Sequence, residues 1–331
     1  MTGKGSEAEP KPFVLVDIPR EEPHRKKATT HEKFKDLTGQ LELEFTVVSE
    51  YLFVGSGGYD FDPQAKGDRP DVWHTFYRRD GQICIPGTST KGAIRAIVEA
   101  ISNSCVLQLR RGERTDPPHR RCELRDVGRD KLCPACRLFG TTGLRGRIHF
   151  GDAFPIGDVS VERVKIAELW PPKWYINARR FYAHKTFQHL PDQRPEKNFR
   201  FVEALRRNAR FKVEMVFENI APAELGLIFH ALGWKPETRF FSHAFTPKLG
   251  GAKPRCFGAV RFEPKRLRLW KGNGWEALLS PETLEGDALK QFIGDCLNEC
   301  QRNSALFHRG SWERLVDGMQ PQDEPCPRGN Y

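Results

Sequence analysis

Cys133-Pro134-Ala135-Cys136 is a C-x2-C knuckle, and His119 and Cys122 stand three residues apart just upstream. Thiolates and an imidazole at that spacing suit a structural zinc ion, which takes four N or S donors in a tetrahedron. The surrounding segment is rich in Arg and Pro and has little to bury, so a metal would supply order that packing cannot. The expected ligands are therefore His119, Cys122, Cys133 and Cys136, with Cys105 competing for the place of His119. Cys296 and Cys300 share a helix face at i, i+4 but have no third donor nearby, so they read as core cysteines. His230 and His243 each stand alone among apolar residues, and a structural or surface role is expected of both rather than catalysis.

A second constellation runs Ile85-Pro86-Gly87-Thr88-Ser89-Thr90-Lys91-Gly92-Ala93-Ile94-Arg95. Glycine and hydroxyl residues lead into a helix N-terminus, where free N–H groups and the dipole favour phosphate. Lys91 and Arg95, at i and i+4, add charge on one side. The order G-x4-G-K-[ST] is absent, so this is not a nucleotide-binding P-loop. A capped helix with solvated cations fits the same residues, and the spacing does not choose between the two. A third feature is diffuse. Between Arg163 and Lys212 there are thirteen Lys/Arg against four Asp/Glu, interleaved with Trp170, Trp174, Tyr175, Tyr182 and five phenylalanines. Cations hold phosphates while rings stack on unpaired bases, which suits single-stranded nucleic acid.

These groups must be carried by a scaffold of 331 residues, 38% hydrophobic and 29% charged, with 29 Gly and 24 Pro. That is one elaborated domain or two, with a core and long polar loops. Lys and Arg exceed Asp and Glu by 53 to 43, which favours a polyanionic partner. No apolar run nears the roughly 20 residues needed to cross a bilayer, so no membrane partner is expected. The first apolar run, Phe13 to Val16, is too short for a signal-peptide core, and a cytoplasmic location is expected. Nine cysteines without a secretory signal make metal binding the stronger expectation and a disulfide framework the weaker.

Hydrophobic periodicity supplies the elements. Leu41 to Val47 alternates with period two and reads as a half-buried strand. Asp80-Gly81 marks a turn between Trp73–Arg78 and Gln82–Ile85. Between Thr90 and Ser102, Ile94, Ile97, Val98 and Ile101 form one helix face. Arg147–Phe150 reads as a short strand. A second unit follows, with a strand over Phe211–Phe217, a helix opened by Pro222 and a closing strand over Ala259–Glu263. Strand–helix–strand occurring twice predicts an α+β fold, a ferredoxin-like or RNA-recognition-type palm. A further helix is expected around Ala288 to Cys300. The expected divisions are a mobile N-terminal arm or partner-binding extension (1–37), a central α+β unit (38–265) and a C-terminal helical extension with tail (266–331). Within that unit, a zinc-binding insertion is expected at about 103–140, and the basic aromatic stretch covers about 163–208.

YLFVGSGG (51–58), IPGTSTKGAIR (85–95), CPACRLFG (133–140), RIHFGDA (147–153) and LGGAKPRCFGAVRF (249–262) resemble, in that order, the RAMP superfamily of CRISPR-associated proteins. Within it the chain is most similar to the repeated backbone subunit of type III effector complexes. The resemblance implies an RNA-recognition-like palm with an inserted thumb, the thumb falling on the basic aromatic stretch. It implies partners: CRISPR RNA, complementary target RNA, further backbone copies or paralogues, and other type III effector subunits. Lys91 and Arg95 would hold guide phosphates, and Gly55, Ser56, Gly57, Gly250, Gly251, Lys253 and Arg255 would lie along the guide backbone. Trp170, Trp174, Tyr175 and Tyr182 would be thumb residues meeting bases. Many members cut target RNA with a loop Asp and a divalent ion, Mg2+ or Mn2+. Here Asp71 has the matching separation from Ile85, with Asp68 and Asp60 as runners-up. Phe53 departs from the family, where His often precedes the glycine turn. Two alternatives stand beside target cleavage: an inert structural subunit, and an endoribonuclease that processes precursor guide RNA with His243 as a candidate base.

Overall fold

Two long strands, Leu37–Val47 and Arg210–Ile220, are built on strict alternation. Leu41, Leu43, Phe45 and Val47 are buried on one face of the first, and Phe211, Val213, Met215 and Phe217 on the same face of the second. They pair antiparallel with Leu43 opposite Val213 and Phe45 opposite Phe211, so the apolar sides coincide and fix the register. The computed structural model describes residues 12–67, 69–106, 119–169, 178–192, 194–270 and 280–328. Trp170, Trp174, Tyr175 and Asp68, singled out in the sequence, lie outside them.

Val260–Trp270 pairs along the other side of Leu37–Val47, and Ile148–Phe150 along the outer side of Arg210–Ile220, both antiparallel. Glu282–Leu284 adds an edge next to Val260–Trp270. Helix Gly87–Ile101 lies between the first and second of these strands in the chain, and helix Pro222–Ala231 between the third and fourth. The helices bury Ile94, Ile97, Val98 and Ile101, and Leu225, Ile228 and Phe229, as the periodicity predicts. The result is a mixed α+β architecture. At its centre, the Phe45 ring sits 5.3 Å from those of both Phe211 and Phe262. Emptying that position, as in Phe45→Ala, costs about 3–5 kcal/mol.

A second sheet takes its strands in the order Val161–Ala167, Phe199–Arg206, Val72–Phe76, Gly55–Phe61. The first two are antiparallel and belong to the expected thumb. That thumb is not a free-standing hairpin, because Phe199–Arg206 also pairs in parallel with Val72–Phe76 and antiparallel with Tyr51–Leu52. Tyr51, Val164, Ile166, Val202, Ala204, Ala252 and Phe257 form its own small core. The Asp80-Gly81 turn is present, with both residues at positive φ (51° and 80°) between Arg78–Arg79 and Gln82–Ile83.

The N-terminal arm is a correction to the sequence reading. From Pro12 onward it is a strap, not a mobile segment. Strand Phe13–Asp17 pairs with Ala178–Tyr182 and buries Val14 and Val16. Lys26 and Leu132 exchange backbone hydrogen bonds of 3.0 Å, and Asn219 Nδ2 donates to Thr30 O (2.9 Å) and Lys33 O (2.7 Å). Few apolar residues are needed because the strap's backbone groups find partners on the body.

At the other end, helix Gly286–Arg302 packs against Pro222–Ala231, where a Cβ on Gly226 would fall 2.0 Å from Cys296 O. Cys296 and Cys300 are buried, as expected of core cysteines. A helix not read from the sequence, Arg309–Met319, brings Trp312 onto His230, with ring centroids 4.5 Å apart and Phe307 stacked at 4.7 Å. Burial pushes His230 down to about 3. The folded state therefore holds it neutral, and its share of stability, present above about pH 6.5, is lost as the pH falls below that value. A His230→Gln variant should show a flatter decline of melting temperature between pH 6.5 and 4; an unchanged decline would remove His230 as its cause. Strand Pro321–Pro325 then lies parallel to His184–Thr186, and Cys326 is bonded to Cys256, a disulfide that the sequence reading ranked below metal binding. No described helix is long and apolar enough to cross a membrane.

A candidate nucleic-acid interface and a four-cysteine centre

Cys133 precedes the short helix Pro134–Phe139, which carries Cys136. Gly140, at φ 88°, then turns the chain so sharply that a Cβ would meet Leu144 O at 2.7 Å. Cys122 reaches the knuckle from upstream, and Cys105 arrives just beyond helix Gly87–Ile101. All four Sγ atoms are buried and lie within 4.8 Å of one another, among the described residues the one cluster of its kind. Cys105 Sγ is 3.7 Å from Cys136 Sγ and 3.6 Å from Cys133 Sγ. A tetrahedron with Zn–S of about 2.3 Å has edges of about 3.8 Å, so the set can hold a structural metal such as zinc. The fourth place goes to Cys105. His119 is corrected out of the set, since its buried ring turns to Asn103, with Nε2 2.7 Å from Oδ1.

The surrounding charges fit a metal-loaded centre. Arg25 Nη1 donates to Cys122 Sγ (3.0 Å) and Arg95 Nη2 to Cys136 Sγ (3.5 Å). Arg179 is half-buried, with its Nε and Nη1 atoms shielded from solvent and lacking hydrogen-bond partners; burial works against its charge, and Glu99, Cys105 and Cys133 favour it. Four thiolates around a divalent ion carry two negative charges. Glu99 adds a third, and Arg25, Arg95, Arg179 and the buried Arg137, whose charge Cys133 and Cys122 also favour, supply the opposing charge. Four neutral thiols would leave those guanidiniums, which do not deprotonate, in excess.

The helix N-terminus read as a phosphate site is already filled. Gly87 N donates to Asp152 Oδ1 (2.8 Å), and Asp152 Oδ2 pairs with Arg79 at 2.5 Å, so an internal carboxylate occupies the anion position. A Cβ on Gly87 would fall 2.1 Å from Phe150 O, which explains the glycine by packing. Arg95 is committed as well, to Glu99 Oε1 (2.7 Å), Gly140 O (3.0 Å) and Cys136. Lys91 is different. It is half-buried, has no hydrogen-bond or ion-pair partner among the described residues, and is pushed below the usual lysine range by burial and then by Arg95 and Arg145.

The two glycine-rich segments meet. Gly251 N donates to Phe53 O (2.7 Å) and Gly258 N to Tyr51 O (2.8 Å). A Cβ on Gly250, at φ 72°, would strike Phe53 O at 2.1 Å, so only glycine fits there. The turn Lys253–Arg255 follows, flanked by Ala252 and Cys256 in the left-handed region at φ 52° and 62°. Arg255 points inward, donating from Nε to Ala167 O (3.2 Å) and from Nη2 to Glu168 O (3.0 Å), and so clamps the second sheet. Gly55, Ser56 and Gly57 open the exposed strand Gly55–Phe61, with Ser56 Oγ held by Thr75 Oγ1 at 2.6 Å. Tyr182 is half-buried edge-on to Phe13 at 5.5 Å, an anchor for the strap.

Strand Gly55–Phe61 leads from this junction to an acidic hairpin end, six residues or roughly 20 Å away. There Asp62 N donates to Asp71 O (2.8 Å). The Asp60 and Asp62 carboxylates accept from Phe61 N (2.9 Å) and Gln64 N (3.0 Å). Asp71 is exposed, and no side-chain bond ties it among the described residues. Tyr59 and Phe61 are also exposed, with the Tyr59 ring tilted against His74 at a centroid distance of 4.4 Å. Asp152, Arg25 and Arg179 escaped the sequence reading, since each acts on a partner far away in the chain. For Asp152 a signal existed, a G-D-A sequence just after a short strand.

A model of the RAMP superfamily matches residues 44–261, a span that takes in both glycine-rich segments, the four cysteines and the acidic hairpin. A search of curated proteins finds no match to the chain.

Proposed function

The chain belongs to the RAMP superfamily, and on that premise we propose that it is a guide-RNA-binding backbone subunit of a type III CRISPR ribonucleoprotein that cuts complementary target RNA. The spatial order second–third–first–fourth of the antiparallel strands, with a helix after the first and third, supports reading the large sheet as a ferredoxin-like palm. The observation that carries the binding reading is the junction of the two glycine-rich segments at Phe53 and Gly251. It packs the backbone of Gly250 and Gly251 closely on Phe53, beside Lys248 and Lys253, for which no ion pair is found among the described residues. Further copies of the chain, other effector subunits and a cytoplasmic location belong to the same proposal, as does zinc in the four-cysteine centre.

For cleavage, the acidic hairpin would bring Asp71 to the target strand. RNA can be cut by its own 2′-OH attacking the adjacent phosphate in line, provided the geometry is held. Asp71 is the carboxylate free to take part, while Asp60 and Asp62 shape the hairpin. A hard divalent ion, Mg2+ or Mn2+, suits one carboxylate plus substrate phosphate and water, and when bound it would supply charge neutralisation at the phosphate. An inert subunit is the second reading, favoured by the structural use of Asp60 and Asp62. Precursor processing through His243 has less support, because its Nε2 lies 3.0 Å from Phe262 O and is spent there.

Guide RNA should bind with strong salt dependence, since phosphate contacts displace counterions. Lys91→Ala should weaken binding of every sequence alike and reduce the salt slope by about 0.7 for one single-strand phosphate. Arg95→Ala should instead lower stability and metal content, because its bonds are internal. Full-length protein that binds guide RNA no more tightly in 50 mM than in 200 mM salt would contradict the reading.

A further inference from the structure

Of the nine cysteines, seven are free and buried, and Cys256 is bonded to Cys326 at a separation of 70 residues. Four of the free thiols form the cluster described above, which holds a metal only while its sulfurs stay reduced. A chain that keeps so many thiols suits surroundings in which thiols persist. Disulfides in such surroundings are uncommon, and those present are mostly transient and redox-responsive.

The place of the bond in the fold says what it would control. Helix Arg309–Met319 is firmly anchored, with Trp312, Leu315 and Met319 buried. Beyond Met319 the hold is slight. Four of the five residues of strand Pro321–Pro325 are exposed, and only Cys326 and Pro327 after them are buried. The pairing of that strand with His184–Thr186 is broken by a register shift. Lys185 pairs with the largely exposed Glu324 at 2.5 Å, and Arg328 Nη2 donates to Gln188 Oε1 at 3.1 Å on the surface. Contacts of that kind contribute little, so the sulfur–sulfur bond is the main tie of the tail. On the other side of the bond, Cys256 closes the turn Lys253–Arg255, and the neighbouring Phe257 ring lies edge-on to Phe187 at 5.1 Å. Arg255 holds this turn to Ala167 O and Glu168 O without help from the tail, so the body should outlast the opening of the bond.

We propose that Cys256 and Cys326 form a reversible redox site, opened by a low-molecular-weight thiol and closed by the corresponding disulfide, which releases or fastens the tail beyond Met319. Opening starts as the exposed strand frays and uncovers Cys326. A thiolate attacks the Cys326 sulfur, the Cys256–Cys326 bond breaks, and Cys256 leaves as a thiolate that takes up a proton. A second thiol attacks the mixed disulfide, leaving two protein thiols and one small-molecule disulfide, with two electrons passed to the protein. The full chain is equilibrated with reduced and oxidised glutathione in varying ratio, quenched in acid, unfolded and alkylated, and the modified cysteines are mapped by peptide. Cys256 and Cys326 should be free in reduced glutathione and bonded again once oxidised glutathione is restored. Hydrogen exchange over residues 320–328 and 184–186 should be faster by about tenfold or more in the open form, while Leu37–Val47 and Arg210–Ile220 keep their protection. Cys326→Ser should show the open pattern in either buffer. A bond that stays closed in the folded protein in reduced glutathione alone overturns the proposal, and so does unchanged exchange over 320–328 once both thiols are free. Both criteria are read on the wild type, so they stand even if Cys326→Ser fails to fold.

Discussion

Cys105→Ser protein should purify with less than about half an equivalent of zinc, while His119→Ala protein keeps a full equivalent. Spacing in the chain favours His119, but the buried thiol of Cys105 lies at tetrahedral distance from two of the other three cysteines. The effect on stability should be the largest of any single change in the molecule. Structural zinc contributes about 10–16 kcal/mol in zinc-finger peptides, against a total of about 5–15 kcal/mol for a typical domain. Loss of the metal should also loosen elements that bring charge to it. Arg25 belongs to the N-terminal strap and Arg179 to strand Ala178–Tyr182, so protease sensitivity should rise in both when zinc is chelated. A Cys105→Ser protein with one full equivalent of zinc and an unchanged melting temperature would exclude Cys105 as a ligand.

Asp71→Ala should reduce cleavage of complementary target RNA by about 10²–10³-fold in the assembled complex with Mg2+ or Mn2+, with guide and target binding intact. That range is typical when one preorganised charge-stabilising group is removed. Asp60→Ala and Asp62→Ala should act through the hairpin, costing about 0.5–2 kcal/mol each for a lost side-chain-to-backbone bond. Cutting at the wild-type rate by Asp71→Ala would exclude Asp71. The same assay on Asp68 and Asp60 would then show whether any carboxylate of this loop takes part, or whether the subunit is inert.

Periodic elements were legible because their signal is local. The alternation over Leu41–Val47 and Phe211–Phe217 and the i, i+3, i+4, i+7 face of Ile94 to Ile101 need no knowledge of what they pack against. The RAMP motifs were legible for a similar reason, since glycines forced by close backbone approach stand in contiguous runs. Elements without periodicity were missed. Phe13–Asp17 is a strand through its partner Ala178–Tyr182, more than 160 residues on, and local pattern carries no trace of that pairing.

Side-chain roles divide along the same line. By itself the sequence determined that donors suited to a metal stand around the knuckle, that a glycine-rich turn precedes the strand Val260–Trp270, and that cations exceed acids. Tertiary structure alone decided which donors and which cations are available. Cys105 rather than His119 completes the four-cysteine cluster, Asp152 fills the helix N-terminus that a phosphate could have taken, and Arg95 and Arg255 are spent inside the protein. Lys91, Lys248 and Lys253 remain. The reason is electrostatic: a polar side chain satisfies whichever charge or acceptor the fold brings within about 3 Å, and for His119, Asp152 and Arg255 that partner lies 16, 65 and 88 residues away, beyond the reach of any motif.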